Sequence, residues 1–301
     1  MISKALFFVG VADGIVLGEK YFCPQNQLVR MLGNNRVGVS CKPGSAEQAT
    51  SMTDQHGTLM RAVWTAAGYI AIMALGMFTT GHVFGITYGD PNMVSVLIVF
   101  EMVMSLYAVV MARRIFGRWQ CGFGPIDWRG LWWLLPNFAI MAALFVVALR
   151  TATAEISGLA LAIVVTTILV GFSEELMFRG VVLQGALRDL GEGKAILISA
   201  ALFSALHSVN VLAFVPLDGM VQQMGLTFVF GLAMACYALR VNSLVPTIVF
   251  HALWDMVQFL GGLLGADFGQ LIMIGIVVNA VIAAALWVLV LRKQRAVPFT
   301  A

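Results

Sequence analysis

From residue 61 onward the chain alternates long apolar runs with short polar connections. The apolar runs cover 62–80, 93–111, 131–149, 158 through the Glu-Glu-Leu-Met-Phe-Arg stretch, 195–208, 220–239, 244–264 and 271–291. Most approach the ~20 residues that a helix needs to cross a bilayer. Their pattern predicts an all-α fold, a polytopic transmembrane helical bundle of about eight spans. The run at 195–208 is short for a span, and Pro136 predicts a kink that neighbouring helices can tolerate.

Residues 1–60 do not share this pattern. The stretch 5–18 is apolar but short, and Asp13 interrupts it, so it is neither a convincing span nor a clean signal peptide. Residues 25–57 are rich in Asn, Ser, Gly and Lys and read as a polar loop. Translation from Met52 or Met60 is an alternative reading of this leader. The expected organisation is therefore a poorly structured leader (1–60), two N-terminal spans (61–129), a core (130–265), and a last span with a basic tail (266–301).

Composition agrees with a membrane protein. Hydrophobic residues make up 60% of the 301 and charged residues 11%, against about 45–50% and 25% in soluble domains. The four cysteines, Cys23, Cys41, Cys121 and Cys236, form no CxxC pair and show no metal-ligand spacing. The positive residues sort by side. Arg61, the loop with Arg113, Arg114, Arg118 and Arg129, then Arg188, Lys194 and Arg240, and the tail with Arg292, Lys293 and Arg295 fall on one side. The opposite loops carry Asp90, Glu155, Asp218 and Asp267, with Arg150 as their one basic residue. By the positive-inside rule both termini are cytoplasmic. The same reading places Glu174 near the cytoplasmic face, with a cavity that opens towards the cytoplasm or laterally into lipid.

Charges inside the apolar runs are the candidate chemistry. Each costs roughly 2.5–3.5 kcal/mol or more in a bilayer, so an intramembrane carboxylate is a functional candidate by default. Glu175 and Arg179 lie four residues apart on one helix face and can neutralise each other. Glu174 is turned about 100° away and has no partner within its segment. Two of the four histidines, His207 and His251, also lie in apolar runs. Phe203 precedes His207 by four residues, and Asp255 follows His251 by four, each pair sharing a face. A lone buried His is more often structural, and Phe203 reads equally as a core aromatic. Polar groups in membranes turn inward and cluster, however. Glu174, His207, His251 and Asp255 come from three segments, as a site built between facing helices would.

Glu174-Glu175-x-x-x-Arg179, Phe203-x-x-x-His207 and His251-x-x-x-Asp255, in this order and in hydrophobic segments, resemble the three motifs of the CAAX-processing and bacteriocin-processing (CPBP/Abi) intramembrane proteases. That family includes the prenyl-protein endopeptidase of eukaryotes and archaea. The resemblance covers roughly residues 130–265. The last motif ends in Asp where the eukaryotic and archaeal members have Asn; bacterial members often carry Asp. The resemblance implies a glutamate-dependent, metal-free endopeptidase of membrane-associated or lipidated peptides in a bacterial inner membrane. Glu174 would activate water together with His207, and His251 with Asp255 would polarise the scissile carbonyl. Glu175 and Arg179 would be a structural pair, and Phe203 would pack beside the site. Peptide hydrolysis needs these functions, a base and oxyanion donors. No Gly-x-Ser-x-Gly elbow offers a covalent nucleophile.

Three alternatives stay open. Two His and two carboxylates could hold Zn²⁺ or another divalent metal, although the His-Glu-x-x-His motif is absent. Inward Glu, His and Asp also suit a proton-coupled transporter, a picture that Glu101 and Pro136-Asn137 fit. A non-proteolytic immunity or chaperone-like protein on the same fold is a third class. The expected partners are the lipid bilayer and a membrane-associated peptide or protein, with no nucleic acid.

The topology is testable with reporter fusions. Fusions after Arg118 and after Asp218 are expected to report opposite sides of the membrane, and both on one side would break the count of eight.

Overall fold

The computed structural model describes residues 57–151 and 158–295, together with three short strands nearer the N-terminus. The chain divides between Gln55 and His56 into two units. In the first, β1 (Gly10–Val11), β2 (Gly14–Val16) and β3 (Phe22–Cys23) pair antiparallel in sequence order. The polar leader read at 25–57 lies outside the described residues except for Gly57, as do Met52, His56 and Glu155 and the side chains of Arg292, Lys293 and Arg295.

The second unit is helical. Among its described residues eight helices are long and apolar enough to cross a membrane: α1 (Thr58–Val83), α2 (Pro91–Phe116), α3 (Leu131–Arg150), α4 (Gly158–Asp189), α5 (Glu192–Ala213), α6 (Leu217–Val241), α7 (Val245–Leu264) and α8 (Gly269–Leu289). This second unit is thus an all-α polytopic membrane bundle. Large apolar side chains such as Trp64, Leu106, Leu149 and Val281 point outward, where lipid tails and not water receive them.

Local chemistry sets the helix ends. Asp90 caps α2 by accepting from the Asn92 amide at 2.8 Å, with Pro91 in the first turn, where its missing N–H costs nothing. Gly117 ends α2 at φ 74°, a left-handed conformation that suits glycine. Pro136 does not kink the middle of α3. It sits in the first turn of the α-helical part, just after a 3-10 stretch over Leu131–Leu134, where proline removes no helical hydrogen bond.

Two other expectations change. The run at 195–208 becomes a 22-residue helix, α5, whose last part, His207–Ala213, winds as 3-10. That tighter winding rises about 2 Å per residue and lengthens a segment whose apolar run looked too short. Helix α4 does not end near Arg179; it runs on to Asp189 through a π-helical stretch over Leu176–Val182. All seven residues of that stretch are buried, because the Glu175–Arg179 pair lets the charged segment stay inside the bundle.

Polar contacts hold the bundle at both ends and in its middle. At the end bearing the basic residues, the Leu59 amide donates to Asp189 at 2.9 Å, the Asp127 amide to the Val241 carbonyl at 2.8 Å, and the Leu244 amide to the Gly122 carbonyl at 3.1 Å. Arg240 pairs with Asp127 there, and its hydrogen bond holds the Asp127 carboxyl below the usual carboxylate range. At the opposite end the Tyr88 amide donates to the Ala213 carbonyl at 2.9 Å, and the His82 ring meets Phe214 at 5.0 Å. In the middle, Asn137 of α3 donates to the Tyr237 hydroxyl of α6 at 2.7 Å and to Asn279 of α8 at 3.0 Å.

Helices α4 and α7 pack extensively against each other. Gly171 permits it, since a Cβ at that position would stand 2.7 Å from the Ala252 nitrogen and 2.8 Å from its Cβ. Gly171→Ala is therefore expected to destabilise the protein in detergent by about 1–3 kcal/mol, the usual cost of overpacking, despite its gain in helix propensity. Gly262→Ala, where a Cβ meets nothing within 4 Å, is expected to leave the melting temperature unchanged or higher.

Candidate functional site

Helices α4 and α7, held together at Gly171, bring Glu174, Glu175 and His251 into one cluster. The Arg179 guanidinium donates from Nη1 to Glu175 Oε1 at 2.9 Å, one helical turn along α4. The same Oε1 lies 2.9 Å from His251 Nδ1. A carboxylate oxygen accepts, so the Nδ1–H of His251 donates, and this contact orients the ring. The other ring nitrogen, Nε2, then lies 3.8 Å from Glu174 Oε2 and 3.5 Å from Asp255 Oδ2. His251 is thus clamped on one side by Glu175 and faces Glu174 and Asp255 on the other.

The expected Glu175–Arg179 pair is present, and both side chains are fully buried. Glu175 does more than neutralise Arg179, because it also sets the direction of His251. Spacing within α4 gives no sign of this second contact, which crosses to α7. Arg179 is further covered by Phe203, whose ring lies 4.2 Å from the guanidinium carbon. Phe203 also meets the His207 ring at 5.1 Å and the His251 ring at 5.8 Å. The aromatic that the motif places before His207 packs between both histidines and the arginine.

His207 stands where α5 changes from α to 3-10 winding, and its Nδ1 lies 3.1 Å from the Phe203 carbonyl. A carbonyl cannot donate, so Nδ1 carries the hydrogen and, in the neutral ring, Nε2 is left as an acceptor.

Two adjacent lobes of cavity space share these residues in their linings. The first, of about 190 Å³, includes His207, Gln223, Thr227, His251, Asp255 and Gln258 in its lining. The second, of about 110 Å³, is lined by Met73, Met77, Met93 and Leu97 together with Glu101, Glu174, His207, His251 and Asp255. His207, His251 and Asp255 line both lobes, as does Tyr88. The four residues expected to form one site therefore share one cavity.

The structure adds residues that no motif pointed to. Glu101 of α2, read from the sequence as suiting a transporter, is buried in the lobe of Glu174. Its Oε2 accepts from Ser173 Oγ at 2.9 Å, and Ser173 Oγ lies 2.8 Å from the Tyr69 hydroxyl. Glu101 Oε1 has no hydrogen-bond partner among the described residues. Where the cavity meets the loop between α1 and α2, Gln223 donates to the Tyr88 hydroxyl at 2.7 Å and accepts from Asn210 at 2.9 Å. Burial pushes the Tyr88 hydroxyl up to about 12, so it stays protonated at neutral pH. Besides Glu101 itself, Ser173 beside Glu174 and Asn210 three residues after His207 are the sequence hints to this shell.

Glu174 lies roughly 24 Å from the Gly158 end of α4 and 22 Å from the Asp189 end, at 1.5 Å per residue, because α4 continues through its buried π-helical stretch. His251, which it faces, lies roughly 9 Å from the Val245 end of α7 by the same measure. Among the described residues no group of three or more His, Cys, Asp or Glu is arranged to hold a metal ion.

Residues 155–257 match the family described as type II CAAX prenyl endopeptidase Rce1-like. This stretch contains all seven residues of the three motifs, so the resemblance drawn from them is borne out over it. It supports a CAAX-type intramembrane protease at the level of the family. No curated protein and no solved structure matches the chain.

Because Glu175 serves both Arg179 and His251, its loss strands two buried groups. Glu175→Gln is expected to lower stability by about 3–5 kcal/mol, the cost of breaking a buried pair, while Glu174→Gln stays near wild type. Thermal unfolding in detergent measures both, and a Glu175→Gln variant as stable as wild type would show that the clamp is dispensable.

Proposed function

With an Rce1-like domain over residues 155–257 as the premise, we propose that this protein is an intramembrane endopeptidase in which Glu174 is the general base. The observation that carries this reading is the shared cavity of Glu174, His207, His251 and Asp255. These groups come from α4, α5 and α7, and each supplies a different part of peptide hydrolysis.

A water molecule between Glu174 and His207 can donate one hydrogen to the carboxylate and the other to His207 Nε2, which leaves its lone pair for the scissile carbonyl. Glu174 takes the proton as the water attacks and then returns it to the leaving amine. His251, its Nδ1–H held by Glu175, presents Nε2 to the cavity. Asp255, 3.5 Å from that nitrogen, favours the protonated ring, whose Nε2–H can donate to the oxygen on which negative charge develops. Glu175, Arg179 and Phe203 act through His251 and the helix packing, not on the substrate. This mechanism is metal-free and forms no covalent intermediate.

The substrate class is a membrane-associated peptide, and the setting is a bacterial inner membrane with both termini cytoplasmic. A peptide held at the bilayer reaches a cavity between helices without first unfolding a soluble domain. The buried Glu101 in the same cavity would also suit proton-coupled transport, and cleavage by purified protein separates the two readings.

The test uses detergent-purified full chain and a set of quenched-fluorescence peptides bearing apolar or lipidated segments. Wild type is expected to cleave members of the set. Glu174→Gln, folded and expressed as wild type, is expected to lose at least about 100-fold in kcat, the lower end of a general base's usual contribution of about 10²–10⁴. Full activity in Glu174→Gln, or no cleavage by wild type, would overturn the proposal.

A further inference from the structure

The cavity has a direction across the bundle, and it runs away from the basic end. The two ends are defined by the contacts already described. Arg61, Arg113, Arg118, Arg188 and Arg240 lie at the end where Leu59 meets Asp189 and Asp127 meets Val241. Tyr88 and Ala213 meet at the other. Towards the basic end the site is closed. Phe203, Phe230 and Phe250 stack in series, with ring separations of 6.0 Å at each step, and the π-helical stretch Leu176–Val182 behind them is buried throughout.

Towards the other end it is lined by Tyr88, by Gln223 near the start of α6 and by Ile272 near the start of α8. These begin within about 9 Å of their helix ends, at 1.5 Å per residue. The side chains that border this opening are partly exposed: the Asp255 side chain is 22% exposed, and His207, Thr227 and Gln258 are half-buried. Glu175 and Arg179, on the closed side, have no exposure.

We propose that the cavity opens on the face of the membrane opposite the basic loops, outside the cytoplasm by the positive-inside rule, and that it takes a peptide presented on that face. Gln223 and Gln258 each keep a second amide N–H beyond their contacts with the Tyr88 hydroxyl and the Trp254 carbonyl, and Thr227 Oγ1, which donates to the Gln223 carbonyl, can still accept; together they suit an extended peptide backbone, which needs both donors and acceptors along its length. The Met-lined second lobe accepts an apolar side chain from the same segment. This replaces the cytoplasmic opening that the sequence suggests. The word peptide rests on the protease reading above; the direction of the cavity does not.

Two independent readouts test it, both with the full chain in its membrane. Gln223→Cys and Thr227→Cys report the cavity, Arg118→Cys reports the basic end, and the unsubstituted chain gives the background. A membrane-impermeant maleimide is expected to label the two cavity cysteines in right-side-out spheroplasts and not in inverted vesicles, with Arg118→Cys showing the reverse. Labelling of the cavity cysteines from the basic side, or from neither side, would overturn the proposed direction. In the second readout, a peptide cleaved in the detergent assay is added outside spheroplasts, where wild type is expected to cleave it and Glu174→Gln to fail. Cleavage in detergent and inverted vesicles alone sinks the sidedness and leaves the protease reading intact. Labelling as expected with no cleavage in any preparation sinks the peptide assignment and leaves the direction standing.

Discussion

A buried guanidinium in the middle of a membrane protein has to be neutralised, and the site is built around how this chain does so. Arg179 is fully buried and bonds to Glu175 one turn away. An isolated charge at this depth would cost several kcal/mol, so the pair is a condition for α4 to pass through the bundle at all. Once Glu175 is fixed by Arg179, its Oε1 is also fixed as the acceptor for His251 Nδ1. One neutralising contact thereby orients an imidazole on another helix, and the opposite nitrogen is turned towards Glu174 and Asp255.

The packing around this cluster serves the same end. Gly171 lets α4 and α7 approach closely enough for the contact to form, and the Phe203 ring covers the Arg179 guanidinium. The π-helical winding that follows Glu175 is of the kind that recurs at functional sites. Its cost is offset by complete burial of the residues it contains. A site built on rigid helices with locked rotamers can hold groups to the tolerance that catalysis demands.

Much of this was legible in the sequence because it depends on local or one-dimensional rules. Apolar runs near 20 residues define spans wherever they occur, so eight crossings and the all-α class follow from the pattern alone. Glu175 and Arg179 pair by helical spacing, without tertiary information. The order of the three motifs named the family resemblance, and the match over residues 155–257 agrees with it.

What the tertiary structure decided are the relations between helices and the depth of each residue within them. That Glu175 bonds to a residue 76 positions away, that Glu101 shares a cavity with Glu174, and that Tyr88, Asn210 and Gln223 form one polar strap all depend on which faces meet. No periodicity encodes that. The full length of α4 depends on the same kind of relation. A charged stretch reads as the end of a span when each charge is priced alone, and its neutralisation by a neighbour becomes visible only once the helix is seen to continue through it. The sequence by itself determined how many helices are long and apolar enough to cross and which residues are costly to bury; the tertiary structure decided which of those residues meet, because that depends on which helix faces pack together.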